Sequence, residues 1–445
     1  DLYFLSWFAL LPFLYHLFVI KKNKLSYQEI FYSGWKLGFW ILVFSANFLY
    51  HSIELYTDAP FIIIILLLVI LFLFLSLIYG IFFILYFYLQ RKLFSLSEFN
   101  SLLFASVWTV MELTRYYLLG FFPIANPAYT QIEFLSFIQL AEIGGIWILS
   151  FILIYFNSLL FQFFSQKKSK NIFIIGLLLL VIFNFNHFYQ PDNHYQVDGA
   201  AAEDIEIGII TTQIKQEQKW KAEQLEQNIK LTLNAASKLN QTRLIIAPET
   251  NLSFDFYTDR GYRENFLKQV SLKFKTPLQI GSLAGKYSVN GRYNSSFLIS
   301  DTGKVVSRYD KNHLLYFGET YPFIQLLNQY TPYNFSNLKA GEEQIIFKSK
   351  DLQWKTVICS EILYPSYVKV RASELDFIVN QTNEAWFKDN KLLKNIMWQA
   401  AVLRAVENRI PVIKVGNQSH NGIVYPSGEY KKVGAQENYN ILKLN

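Results

Sequence analysis

Residues 60–90 read PFIIIILLLVILFLFLSLIYGIFFILYFYLQ, with no charged side chain anywhere in the run. That exceeds the ~20 apolar residues that cross a bilayer core and is too long for the buried helix of a soluble domain. Of the 445 residues, 52% are hydrophobic and only 17% charged, and the apolar excess lies before about residue 190. Six spans can be drawn there, at 2–20, 37–53, 60–89, 102–119, 134–164 and 172–188. A cleaved signal peptide is excluded, because no small-residue cleavage site follows the first run and further spans come after it.

Basic residues sort by loop. Lys21, Lys22 and Lys24 follow the first span, Arg91 and Lys92 the third, and Lys167, Lys168 and Lys170 the fifth. The alternate loops carry Glu54, Asp58 and Glu133 and no lysine or arginine. The positive-inside rule puts the basic loops in the cytoplasm, and six crossings leave everything after about residue 189 outside it. The net charge of +7 is then a topology signal, and no nucleic-acid partner is implied. The same topology puts Asp1 outside, which predicts one further span upstream.

Residues 1–189 thus form a transmembrane helical domain, 190–204 a linker, and 205–445 an outer domain. Beyond the linker, short β-type runs alternate with amphipathic stretches: IEIGIIT (205–211), a helix over 220–239, RLIIAPE, PLQIGSLA (277–284) and a hairpin turned at Asp301-Thr302-Gly303. WKTVICSE and DFIVNQTN follow, separated by a segment (362–374) able to form a helix. Then come a helix over 394–408, IPVIKVGNQS and a closing hairpin. This alternation predicts a layered α/β domain.

The single cysteine, Cys359, ends an apolar run in VICSEIL. Glu249 ends another in LIIAPE, and Lys311 lies in the polar segment RYDKNHL. A carboxylate, an ammonium and a thiol are the parts that make and break a thioester. Two of the three follow strand-like runs, and in α/β sheets ligands bind at the carboxyl ends of strands. Glu249 suits the base that takes the thiol proton, and Lys311 suits an oxyanion. Each has a plainer reading: Cys359 as a small buried hydrophobe, Glu249 as a helix-start carboxylate, Lys311 as a solvated turn residue. Together they favour chemistry. Glu319 and Glu361 are nearby carboxylates; either suits a supporting role in orienting the lysine, with plain surface charge as the other reading. Phe254, Phe256, Tyr257, Tyr316, Phe317, Tyr321, Phe323, Trp386 and Phe387 flank these motifs and suit either a lipid substrate or the core.

At these residues the chain resembles the bacterial apolipoprotein N-acyltransferases, over nearly its whole length. WTVMELTRYYLLGFFP (108–123), Gln131 and Gly144-Gly145 carry the likeness in the membrane part. Gln213, Trp220, APETNLSF, YDKNHLLYFGETYPF, ICSEILYPS, NEAWF (383–387), Gln399, Arg404, Glu407, Arg409, Pro411, Asn417 and Gly422 carry it in the outer part.

The resemblance implies a multi-span α-helical domain joined to a periplasmic nitrilase-type αββα sandwich in a bacterial inner membrane. It implies Glu249 as general base, Lys311 as stabiliser of the tetrahedral intermediate and Cys359 as nucleophile. Glu319, Glu361, Asn383 and Trp386 would support them, with Trp220 on a mobile loop. The implied reaction is ping-pong: Cys359 takes an acyl chain from a phospholipid donor and passes it to the α-amino group of a diacylglyceryl apolipoprotein. The protein would act as a monomer, without metal or organic cofactor.

Departures from the family's pattern are Ser360 in place of tyrosine, Glu384 in place of aspartate and Ala400 in place of histidine. KVGN stands in place of an arginine-threonine-type run, and KDNKLLKN replaces a glycine/serine stretch. A final apolar span, usual in the family, does not follow NILKLN. Two other readings keep the same residues: a membrane-tethered amidase or nitrilase-like hydrolase, and an inactive lipoprotein-binding homologue.

Overall fold

A computed structural model describes residues 2–20, 26–56, 60–94, 100–117, 124–188, 205–286, 289–316, 318–320, 325, 329, 337–371, 374–388, 390–434 and 437–444. The chain divides into two compact units, Asp1–Asp192 and Asn193–Asn445. The expected linker at 190–204 lies outside the described residues, as do Lys21, Lys22, Lys24 and Asp58.

The first unit is helical. Helix Phe61–Leu93 is 33 residues long, about 50 Å at 1.5 Å per residue, so it outruns a ~30 Å hydrocarbon core. Arg91 and Lys92 fall in its last turn, where cations favour the carboxyl end of the dipole. It packs on helix Tyr27–Ser45 through Gly34, Gly38 and Gly80. A Cβ on Gly34 would come within 2.8 Å of Phe83 and of the Tyr79 carbonyl, so only glycine permits this approach.

Of the described helices, Phe61–Leu93 and Ala141–Gln166 are long and apolar enough to cross a membrane; Tyr3–Phe18 and Asn171–Phe185 are shorter apolar stretches. The second span, expected at 37–53, is misplaced. Its helix is Tyr27–Ser45, opened by a capping box in which Ser26 and Glu29 bond reciprocally. Hydropathy discounts that polar first turn. Leu49–Tyr56 is a separate helix. Helix Ala141–Gln166 starts later than the expected 134 and breaks its helical dihedrals at Gly144 and Gly145, the latter with φ of 63°. Glu112 accepts hydrogen bonds there from Trp108 Nε1 (3.0 Å), Asn126 Nδ2 (3.1 Å) and Ser150 Oγ (2.6 Å).

The second unit has two sheets. The first runs β13-β1-β2-β4-β5-β6, with β3 also on β4. Its strands are β1 (Ile205–Ile210), β2 (Leu244–Ile246), β3 (Leu252–Asp255), β4 (Leu278–Lys286), β5 (Val289–Ile299), β6 (Val305–Asp310) and β13 (Tyr439–Leu444). The second runs β12-β11-β10-β9-β8-β7. Its strands are β7 (Ile346–Ser349), β8 (Leu352–Ile358), β9 (Phe377–Asn383), β10 (Val412–Asn417), β11 (Asn421–Val424) and β12 (Tyr430–Val433).

Helices Ala222–Lys238 and Arg260–Lys273 bury Leu225, Ile229, Leu233, Phe266 and Val270 against the first sheet. Helix Lys391–Asn408 packs on β10 and β11 of the second sheet. A polar seam joins the sheets: Gln279 of β4 accepts from Trp354 Nε1 of β8 (2.7 Å) and donates to Gln381 of β9 (3.0 Å). Gln381 in turn donates to the Ala247 carbonyl at 2.6 Å, pinning the chain where β2 ends.

β1, β2 and β4 are mutually parallel, as are β8, β9 and β10, so their carboxyl ends share an edge in each sheet. The expected strands at 205–211 and 277–284, both hairpins and the 394–408 helix have counterparts within a few residues. The 362–374 segment holds a short helix, Pro365–Val368, started by its proline and preceded by a 3-10 turn, Cys359–Leu363. β3, β7 and β13 were not anticipated; β13 finds its place only by pairing antiparallel with β1, far away in sequence.

Candidate active site

Cys359 is the first residue after β8 and has φ of 52°. A non-glycine residue in that left-handed region carries strain of roughly 1–3 kcal/mol, held only when the surroundings over-determine it. Glu361 supplies that restraint. Its carboxylate accepts from the Ile358 N–H (2.7 Å), the Asn312 and His313 N–H groups (2.8 and 3.0 Å) and the Tyr309 hydroxyl (2.9 Å). One buried side chain thereby ties the turn under Cys359 to the segment that carries Lys311.

Lys311 follows β6 and is 1% exposed, so the solvated-turn reading does not describe it. Its Nζ donates to Glu319 Oε2 at 2.6 Å, and the same oxygen accepts from the Leu315 N–H at 2.9 Å. Asn294, on β5, donates from one Nδ2 to Glu319 Oε1 (2.8 Å) and to Glu249 Oε1 (2.7 Å). The other Glu249 oxygen accepts from the Asn383 N–H at 2.7 Å, at the end of β9. Strand ends of both sheets thus meet around one carboxylate, which is buried, as is Cys359.

Electrostatics couple the groups. Burial pushes the Cys359 thiol up to about 12, the Glu249 charge adds to the rise, and Lys311 opposes it. Burial also raises Glu249, against the pull of Lys311, the Asn294 hydrogen bond and Lys219. Burial alone would lower Lys311, but the carboxylates of Glu319, Glu249 and Glu361 and the thiol outweigh it and hold the ammonium above its usual range. A thiolate is therefore unfavourable here unless its proton moves to a neighbour. Transfer to Glu249 leaves the net charge of the cluster unchanged, which is the inexpensive route in a low-dielectric pocket.

Among the expected supporting residues, Asn383 is buried, with its amide within 3.2 Å of Gln216, Lys219, Trp386 and Asn417. Trp220 is 42% exposed, beside these groups in sequence. Phe254 and Phe256 are core: Phe256 stacks on Phe297 with centroids 4.1 Å apart. Phe387 is buried as well, whereas Tyr316 is exposed; Phe317, Tyr321 and Phe323 lie outside the described residues.

Asn294 and Lys219 escaped the sequence reading. Each stands in a run of polar residues, and nothing there distinguishes a buried amide or ammonium from a solvated one. Two departures from the family's pattern meet in space. Glu384 and Lys414, the first residue of KVGN, form an ion pair at 2.5 Å with both side chains wholly buried. Lys414 also reaches Ser419 Oγ.

Two sheets in this order carry a cysteine, a lysine and a glutamate at or just past their strand ends. Residues 208–429 match the family described as "Carbon-nitrogen hydrolase". Residues 1–159 match the "Apolipoprotein N-acyltransferase N-terminal domain". Over most of its length the chain is similar to the apolipoprotein N-acyltransferases.

Relatives of that name include proteins from Geobacter metallireducens and Rickettsia prowazekii. The first is 28% identical over 74% of this chain and 64% of its own, and the second 27% over 76% and 68%. The match therefore spans less than two thirds of the Geobacter relative's length. A Pseudomonas syringae relative is 24% identical over 93% of this chain and 81% of its own.

Proposed function

We propose that the chain is an acyltransferase that N-acylates the amino-terminal S-diacylglyceryl-cysteine of apolipoproteins, drawing the acyl chain from a phospholipid. The observation that carries this reading is the convergence of Glu249, Lys311 and Cys359, through Asn294, Asn383, Glu319 and Glu361, in a domain whose chain also matches the N-acyltransferase amino-terminal family.

In the first half-reaction Glu249 takes the thiol proton as Sγ attacks the ester carbonyl of the phospholipid. The oxyanion is stabilised by the Lys311 ammonium; one such donor is worth about 3–4 kcal/mol in comparable sites. The intermediate collapses to a thioester, and the proton passes from Glu249 to the departing lysophospholipid oxygen. In the second half the acceptor's amine attacks the thioester, Glu249 takes a proton from nitrogen, and Sγ leaves as the thiol. Glu319 holds Lys311, and Glu361 holds the nucleophile turn.

Supporting a membrane setting are the uncharged run at 60–90 and the two helices of spanning length. The distribution of lysine and arginine favours a multi-pass arrangement with the outer domain on the periplasmic side. All the proposed catalytic groups come from one chain, which suits a monomer.

The test is mass spectrometry of the purified protein after incubation with phospholipid. The expected result is an acyl adduct on Cys359 that a diacylated lipopeptide discharges and water alone does not. Rapid discharge by water in the absence of lipopeptide would assign the site to a hydrolase.

A further inference from the structure

The cluster has a fourth charged neighbour that the reaction above leaves unused. Lys219 closes the short helix Gln216–Lys219 and is 1% exposed. Its Nζ donates to Thr250 Oγ1 at 2.8 Å and to the Glu249 carbonyl at 3.3 Å, and lies 3.2 Å from the Asn383 side-chain amide. The first two accept from the ammonium, and the Asn383 amide accepts the third N–H with its oxygen turned toward Lys219. The turn they grip is strained: Thr250 has φ of 43°, and the turn lies so close to Gly281 that a Cβ there would sit 2.8 Å from Glu249 Cα. A β-hydroxyl next to the base, reached by a buried cation from another element, is a restraint on where the Glu249 carboxylate stands.

We propose that Lys219 is a positioning residue for this site, clamping the Glu249–Thr250 turn and setting a second cation, with Lys311, against the carboxylate and the thiol. The proposal rests on Glu249 and Cys359 acting as base and nucleophile. The charged groups facing Glu249 are Lys311, Glu319 and Lys219. Those facing Cys359 include Glu249, Lys311 and Glu319, and those facing Lys219 are Glu249 and Cys359. Burial draws Lys219 down to about 7, although both neighbours pull it upward, so its charge changes within the neutral range. With the charge present, the ionised forms of Glu249 and of the thiol are favoured; without it, both groups hold their protons to higher pH. Trp220 follows directly, so the clamp also fixes the backbone beside an exposed aromatic side chain.

The experiment is alkylation of Cys359 by iodoacetamide in the full-length protein, followed by intact mass between about pH 5 and 9. The thiol itself titrates above that range, so the acid limb of the rate profile reports Glu249, the base that takes its proton. Lys219→Met is expected to move the midpoint of that limb upward by about one unit or more, and Lys219→Arg to return it toward wild type. Thr250→Val, which removes the clamp's acceptor and leaves the charge, is expected to slow alkylation at every pH without moving the midpoint. A Lys219→Met profile superimposable on wild type overturns the proposal. If Lys219→Met gives no cooperative melt, a wild-type rate in Thr250→Val overturns it instead. A wild-type protein that alkylates normally but never takes an acyl chain from phospholipid would sink the functional reading and leave this comparison standing.

Discussion

Glu112 in the first unit and Glu249 in the second are both buried carboxylates, yet their surroundings differ in kind. Glu112 is hydrogen-bonded by an indole, an amide and a hydroxyl, all neutral donors. Such a site fixes a loop and a kinked helix in place, as buried polar groups in an apolar setting must be fixed. Glu249 instead faces two ammoniums, a second carboxylate and a thiol, and accepts from Asn294 and the Asn383 N–H. A proton on that carboxylate has somewhere to come from and somewhere to go. On the proposed mechanism one buried carboxylate is structural and the other reactive, according to what shares the pocket.

Removing the charge on each side sharpens the contrast. Glu249→Gln keeps the shape and one acceptor oxygen but loses the base, so thioester formation is expected to fall about 10²- to 10⁴-fold while the protein still melts cooperatively. Single-turnover acylation measures it, and an undiminished rate breaks the assignment.

The next largest effect is on stability. Glu384→Gln leaves the Lys414 ammonium buried and unpaired, a loss of about 3–5 kcal/mol in comparable sites. Thermal melting in detergent should show a marked drop, and Glu384→Gln combined with Lys414→Met should recover much of it. If the double variant melts no higher than the single one, the two departures are not a coupled pair.

The pH profile gives a smaller but directional effect. Burial raises Glu249, so its titration lies above the usual carboxylate range. As pH falls through that value the base becomes protonated and cannot accept the thiol proton, so acylation declines on the acid side and is restored as pH rises. An acid limb at an ordinary carboxylate value would argue that Glu249 is not the base.

The smallest effect belongs to the first unit. Ser150→Ala removes one neutral donor from Glu112 and is expected to lower stability by about 1–3 kcal/mol, with the pH midpoint of acylation unmoved. A shifted midpoint would show that the two carboxylates are not independent.

What the sequence disclosed follows the same division. In the first unit the uncharged run at 60–90 announced a helix, but hydropathy could not see that Ser26 and Glu29 cap the second helix well before its apolar part begins. In the second unit Glu249, Lys311 and Cys359 were legible because each stands in a distinctive motif. Glu319 and Glu361 were legible as carboxylates able to orient the lysine, and Glu319 bonds Lys311, but the hold of Glu361 on the nucleophile turn was not legible. That Glu361 binds three backbone N–H groups and a tyrosine hydroxyl depends on two segments about 50 residues apart meeting in the fold. Asn294 and Lys219 were invisible because polarity in a polar run carries no information about burial. Glu384 and Lys414 each read as an isolated departure, and only their contact explains them as a pair.

The most direct test of the account is in-gel detection of a hydroxylamine-labile lipid on the purified full-length protein, wild type beside Cys359→Ser. A thioester predicts label on the wild type that hydroxylamine strips, and no hydroxylamine-labile label on the variant. Equal hydroxylamine-labile label on both proteins, or none on wild type supplied with phospholipid, would contradict it.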